Sequence, residues 1–239
     1  MSTLVESAVG DAGPPVLKQA VLDLGLSWDD ALCEPFLQLA APLDEYILTP
    51  LRKEDAPRML EVLNDGRVYP KLANVPHPYT PEHAAKWVPI QREQARASLA
   101  HLARSAIRDG LTTLPVHAIR HRSISSGCAT WIGDVKFYVP DGSTTWQVGY
   151  LLDPAHWSKG VMTHAVRSLL SLLQRITVSR AENQEGRRLL EVKSSAYKGN
   201  EASVRVLQKA GFTLMSLPEQ DDEARCKGAI PEYKLLYRL

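Results

Sequence analysis

Residues 147–173, QVGYLLDPAHWSKGVMTHAVRSLLSLL, read as a strand, a short connector, a loop centred on a glycine and the start of a long helix. Backbone amides in such a loop, at the positive end of a helix dipole, make a site for a phosphate or pyrophosphate. The spacing is not that of a Walker loop, because Lys159 precedes Gly160. A second segment, Asn200-Glu201-Ala202-Ser203 ahead of Val204 to Phe212, narrows this anion site toward an enzyme that holds a phosphorylated acyl carrier.

The rest of the chain sets bounds on that reading. Its 239 residues, 44% of them hydrophobic, suffice for one large domain, or one domain plus an extension, around a core that needs no staples. A formal net charge of +1 gives no reason to expect a nucleic-acid partner. Cys33, Cys128 and Cys226 are far apart, odd in number and without CxxC spacing, which argues against a disulfide framework and against a zinc site. The start, MSTLVESAVGDAGPPV, has neither a basic opening nor an apolar run. No stretch approaches the roughly 20 apolar residues that cross a bilayer. A cytoplasmic protein with no metal and no membrane partner is the expectation.

Residues 1–43 read as an N-terminal extension, disordered over 1–15, with helical spacing over Val16 to Leu26 and breaks at Pro35 and Pro42. Residues 44–239 read as the folded domain. Tyr46 to Thr49 is a strand, and Glu54 to Leu63 a helix stopped by Asn64-Asp65-Gly66. Thr80-Pro81 opens a long helix, with Thr80 as N-cap, that runs toward Asp109-Gly110 through a kink or restart at Pro89. Strands follow at Val116 to Arg120, at Ala129 to Val139 with Gly133 as a bulge, and at Trp146 to Leu152. Trp131 and Trp146 either line an acceptor cleft or, as strand aromatics usually do, fill the core. Next come a helix over Val161 to Arg175, a strand over Leu189 to Lys193 and a helix over Ala202 to Ala210 stopped by Gly211. Phe212 to Leu217 and Glu232 to Tyr237 close the chain as strands. This order predicts an α/β fold with a mixed, mostly antiparallel central sheet flanked by helices.

With its elements in this order, the chain resembles the GNAT N-acetyltransferase superfamily from about Tyr46 to the C-terminus. The branch it is most similar to contains the ribosomal-protein alanine acetyltransferases. The resemblance is carried by Leu51-Arg52 with Asp55, by Pro78-Tyr79-Thr80, by Gly149 to Pro154 and by Trp157 to Thr163. Asn200 to Ser203 complete it, with Leu207 and Lys209 to Phe212. It implies the acyl-coenzyme A N-acyltransferase fold and acetyl-coenzyme A as acyl donor. It implies that the backbone of Tyr150, Leu151 and Leu152 pairs with the pantetheine arm, which mimics a strand edge. Ser158, Lys159, Gly160, Val161, Met162 and Thr163 would face the pyrophosphate, with Gly160 permitting close backbone approach. Asn200 would contact the cofactor arm, and the Ser203 hydroxyl would bond the sulfur as the thiolate leaves. Plainer roles exist for some of these residues. N-capping alone would explain Asn200, Lys159 at a helix start is commonly solvent-exposed, and Lys209 to Phe212 read as a helix stop followed by a core aromatic.

Three residues depart from the family pattern. Ser158 stands where Gly is frequent, and His164, read as a helix-surface histidine, stands where Glu is frequent. Gln147 occupies the place where many relatives carry a Glu base, and an amide cannot serve as one. His117 on the neighbouring strand is the candidate substitute, with His77 or a relayed water as alternatives. An α-amine, with a pKa of about 7.7–8.0, asks less of a weak base than a lysine at about 10.4. The expected reaction is direct attack of a primary amine, on a protein N-terminus or a small molecule, with a backbone amide near Leu151 or Leu152 holding the oxyanion. The second reading is a non-catalytic acyl-coenzyme A-binding regulatory or interaction module. A homodimer is compatible with either.

Overall fold

The computed structural model describes residues 14–104, 110–123, 127–178, 190–217 and 232–238. In chain order these form α1 (Pro14–Asp23), β1 (Ser27–Asp29), β2 (Glu34–Gln38), β3 (Tyr46–Thr49), α2 (Ala56–Leu63), α3 (Pro81–Arg104) and β4 (Ala118–Arg122). There follow β5 (Ala129–Tyr138), β6 (Trp146–Leu152), α4 (Val161–Val178), β7 (Glu191–Tyr197), α5 (Glu201–Ala210), β8 (Thr213–Ser216) and β9 (Glu232–Arg238). The strands make one sheet in the order β1-β2-β3-β4-β5-β6-β7-β9-β8. Every described pairing is antiparallel except β6 with β7. This is the expected mixed, mostly antiparallel α/β architecture. Among the described residues no helix is long and apolar enough to cross a membrane.

Two apolar layers cover the sheet. The helical spacing of α4 buries Val161, Ala165, Val166, Leu169 and Leu173 against Val135, Phe137 and Val148. On the opposite face, Met59 and Val62 of α2 and Ala84 and Val88 of α3 pack on Ala118 and Trp131. Trp131 and Trp146 are both core residues. The long helix runs unbroken through Pro89 to Arg104, and its continuation toward Asp109 lies outside the described residues. Pro89 is exposed, as is Ala85 one turn earlier, so the carbonyl that loses its partner can turn to water. At its start the backbone N–H of Thr80 donates to the His83 ring at 3.1 Å, half of a capping box with His in the usual place of Glu or Gln.

Residues 14–43 do more than dock a helix. β1 and β2 extend the sheet past β3, and Val21, Leu24, Leu26, Leu37, Leu39 and Leu43 join the larger core. The expected boundary after residue 43 therefore falls between two strands of one sheet. Pro35, read as a break, lies within β2 opposite Trp28 of the three-residue β1. β2 pairs with β3 only at Leu37 and Gln38, so Pro35 stands outside that pairing, where a missing N–H is tolerated. Residues 1–13, most of the stretch read as disordered, lie outside the described residues, as does Cys226; Cys33 and Cys128 are exposed.

Gly133 forms the expected bulge. Ile119 faces Gly133 but Arg120 already faces Trp131, so Ile132 is an extra residue in β5. The bulge needs glycine, because a Cβ at 133 would lie 2.4 Å from the Leu151 carbonyl oxygen.

Beneath α2 sits a buried ion pair. The two terminal nitrogens of Arg120, 2% exposed, each donate to one Asp55 carboxylate oxygen at 2.7 Å, and its Nε donates to Thr49 Oγ1 at 2.7 Å. Asp55 also accepts the backbone N–H of Arg52 at 2.7 Å, which ties the β3–α2 turn to β4. Arg120→Ala strands a carboxylate in the core and is expected to lower unfolding free energy by about 3–5 kcal/mol. An Asp55→Leu, Arg120→Met double variant should recover most of that loss. Urea denaturation followed by circular dichroism reads both.

Candidate functional site

β6 pairs with β5 along its length, from Tyr138 opposite Gln147 to Gly133 opposite Leu152. With β7 it pairs only at Trp146–Val192 and Gln147–Lys193. The next carbonyl, of Val148, is taken by the Ser194 hydroxyl at 2.9 Å, and from Gly149 onward the two strands part. The Leu152 carbonyl is capped by the Trp157 indole N–H at 2.7 Å. Between those two caps, the β7-facing edge of β6 has no strand partner among the described residues. Buried backbone groups demand partners. This edge therefore fits an extended, amide-bearing ligand lying in the split as an additional strand.

The loop after β6 is held from several sides. Asp153 accepts the Ala155 N–H at 2.9 Å and is salt-bridged to Arg58. Lys71 lies over the Trp157 ring, 4.5 Å from its centroid. Ser158 adopts φ +61° and Gly160 φ +82°, both in the left-handed region. Serine here takes a conformation that glycine favours, at a strain of about 1 kcal/mol. The first intrahelical bond of α4 runs from His164 N to Gly160 O at 3.1 Å. The amides of Val161, Met162 and Thr163 are thereby left without helical partners, facing a cleft of about 400 Å³. The His164 ring bonds the Gly160 carbonyl at 3.0 Å on the outer side.

α5 supplies the opposite wall. The Asn200 side chain does not cap the helix; its backbone carbonyl takes the Ser203 N–H at 3.0 Å, and Asn200 lines the cleft. The Tyr150 and Ser203 hydroxyls lie 2.6 Å apart, and the Tyr150 oxygen is also 3.0 Å from the Ser203 carbonyl oxygen. Burial pushes the Tyr150 phenol well above its ordinary pKa, an effect only partly offset by its bond to Ser203, so it keeps its proton. His156, on the same cleft, is held below the usual imidazole range by burial and then by the charge of Lys159, and meets Tyr46 Oη at 3.2 Å.

The candidate cofactor and catalytic residues all line this cleft except Lys159, His117 and the alternative base His77. Lys159 is exposed and outside the walls. The cations that do line the cleft are Lys71, Arg205 and Lys209. Lys209, read as structural, lines the cleft four residues after Arg205 on one helix face. His117 is 3% exposed, with Nδ1 2.7 Å from Asp134 Oδ1. It precedes Ala118, two strands from Leu151, at about 5 Å per strand. His77 stacks on Tyr69 at 3.7 Å, and Gln147 accepts the Tyr138 hydroxyl at 3.2 Å. Asp134, the partner of His117, follows the bulge glycine and also stands outside the cleft lining. A larger groove of about 640 Å³ between α1 and α3 carries none of the unpartnered buried polar atoms found among the described residues.

The family model that matches the chain is that of the acetyltransferase (GNAT) domain, over residues 46–213. No curated protein matches. Among solved structures, a RimL ribosomal-protein α-N-acetyltransferase in complex with coenzyme A is similar at 13% identity and TM-score 0.58, over 85% of this chain and 98% of its own. RimJ of Mycobacterium smegmatis, in complex with a coenzyme A disulfide, is similar at 18% identity and TM-score 0.55, over 86% of each chain. A ribosomal-protein-S5-alanine acetyltransferase of Vibrio fischeri is similar at 17% identity and TM-score 0.54, over 81% of this chain and 93% of its own. At these identities the likeness is one of fold.

The strained serine gives a direct test of the loop. Ser158→Gly removes the left-handed penalty but loosens the unfolded chain, so stability should stay within about 1 kcal/mol of the parent. Ser158→Val should lose about 1–2 kcal/mol, since β-branched side chains resist positive φ. Thermal unfolding of the two variants measures the difference.

Proposed function

Because this chain belongs to the acetyltransferase (GNAT) family, we propose that it transfers the acetyl group of acetyl-coenzyme A to a primary amine, by direct attack within one ternary complex. The observation that carries this reading is the unpaired edge of β6 beside three free amides at the start of α4. The edge would pair with the pantetheine amides, and the loop amides with Arg205 and Lys209 nearby would take the phosphates. Asn200, released from capping, would contact the arm. The amides near Leu151 and Leu152 would hold the oxyanion.

Ser203 and Tyr150 act on the leaving sulfur. Tyr150 carries one proton and has two acceptors within reach on Ser203. When that proton goes to Ser203 Oγ, the serine proton is free to turn toward sulfur. Since a thiol's pKa is about 8.5, such help is modest. The acceptor is a protein N-terminus or a small-molecule amine. Gln147, spent on Tyr138 and unable to take a proton, favours an α-amine over a lysine. Acetyl-coenzyme A and nascent protein N-termini coexist in the cytoplasm, which is where this reading puts the enzyme.

Calorimetry with acetyl-coenzyme A, followed by thiol-release assays over N-terminal peptides, polyamines and aminoglycosides, tests the reading. Tight binding with turnover of at least one amine is expected; binding with turnover of none would instead favour an acyl-coenzyme A-binding module. Ser203→Ala and Tyr150→Phe should each reduce kcat about tenfold, and the double variant little more, because the two hydroxyls work as one unit.

A further inference from the structure

We propose that Asp134 is the carboxylate that receives the acceptor, holding the amine on the α2–α3 face of the sheet and taking the proton its nitrogen sheds, with His117 as the positioning residue. The proposal rests on the acetyl-transfer reading above and names a residue for its unassigned proton.

The bulge at Ile132–Gly133 puts Asp134 where it is. Trp131 belongs to the layer beneath α2 and α3. Strict alternation along β5 would turn residue 134 to the other face, into the core against α4. The extra residue Ile132 reverses the alternation. Val135 and Phe137 take the α4 side instead, and Asp134 emerges on the side of Trp131. Bulges recur beside active sites because they re-aim a side chain in this way. The glycine that permits this one abuts the Leu151 carbonyl, and Leu151 lies directly opposite Asp134.

The neighbours of Asp134 on this face describe an approach path. Leu151 also lines the cofactor cleft. Two residues on, Lys136 faces Gly149, and a Cβ built at Gly149 meets nothing within 4 Å. Cross-strand partners share a face, so the open space at Gly149 lies beside Lys136, on the face of Asp134 and two residues along from it. Tyr150 and Ser203 stand on the opposite face, toward α5. Attack and departure thus have separate sides.

The carboxylate is supported from behind. His117 Nδ1 meets Oδ1 at 2.7 Å, and the His117 backbone is pinned by bonds to Thr49 and Val135 at 3.0 and 2.9 Å. Asp134 keeps 17% of its side chain exposed, against 3% for His117. In the same layer three buried polar atoms lack a partner: His117 Nε2, Tyr79 Oη and Trp131 Nε1. Such atoms call for a bridging water or for polar atoms of a ligand. The titratable groups facing Asp134 are His117 from the segment before β4, Tyr79 from the loop before α3 and Lys136 on β5. Lys136 is drawn aside to Gln94 Oε1 at 2.8 Å and to the Trp87 ring, which leaves the carboxylate to the substrate.

In the step itself, the neutral amine forms an N–C bond to the thioester carbon and passes one proton to Asp134. The C–S bond breaks, and its electron pair leaves on sulfur. That thiolate takes a proton through Ser203, while Asp134 releases its own to solvent. Amide and free thiol are the products.

The test uses the full-length protein with the best acceptor from the amine panel. Asp134→Asn should lower kcat/KM for the amine about 100-fold or more and flatten the acid limb of the kcat profile, with acetyl-coenzyme A affinity within about threefold of wild type. Asp134→Glu should restore part of the rate and the limb. His117→Gln should lower the rate about tenfold and displace the limb, which a merely structural role would not do. Asp134→Asn with activity within about threefold of wild type and an unchanged pH profile overturns the proposal. Wild-type protein that acetylates no amine defeats the underlying reading, and this inference with it; a variant that matches an active wild type defeats this inference alone.

Discussion

Backbone amides and carbonyls buried in a sheet must be satisfied, and from Gly149 onward β6 is satisfied on one side only. The rest of the molecule is arranged around that deficit. β5 holds the strand along its whole length, Ser194 closes the last carbonyl before the split and Trp157 closes the one at its far end. The stretch between is held in extended form with its edge free. Had β7 continued alongside, the strand would be ordinary core. The cleft, the helix amides and the Tyr150–Ser203 pair acquire meaning from the missing partner.

Two further devices fix what surrounds the split. The Arg120–Asp55 pair locks the β3–α2 turn to β4. The bulge shifts the register of β5 by one residue just where it meets β6. An aspartate and a pair of hydroxyls are thereby set on opposite faces of one strand pair. Such precision of placement comes from rigid strands and not from loops. The loop that does take part, 153–160, is tied down by Arg58 and Trp157 and by the strained Ser158.

Much of this was legible in the chain. Trp146 to Leu152 is a strand with the residue limits read from its sequence, and Gly160 and Asn200 stand on the cleft as the motif required. Local signals carried those elements, because strand propensity and glycine punctuation act over a few residues. Other features depended on distant parts. β1 and β2 were hidden by Pro35, which reads as a break although it stands outside the residues of β2 that pair with β3. The capping signal at Asn200 pointed to a use its side chain does not have, since the Ser203 N–H is taken by the Asn200 backbone carbonyl. Lys209 lines the cleft and Lys159 does not; which face of α5 turns to the cleft is decided by its packing against α4. Asp134 was out of reach of periodicity, since a bulge breaks the period that such a reading assumes.

The outer edges of the sheet deserve the same scrutiny as its inner one. They belong to β1 and β8, of three and four residues, and so offer little template to a neighbouring chain. Remove residues 14–43 and the edge would pass to β3, whose four residues are all buried. The N-terminal segment therefore covers the β3 edge as well as joining the core. The unpaired edge of β6, by contrast, lies on the cleft between α4, α5 and the Val68–Leu72 segment. A rim strand meets its surroundings directly, whereas whatever reaches this inner edge must first enter the cleft.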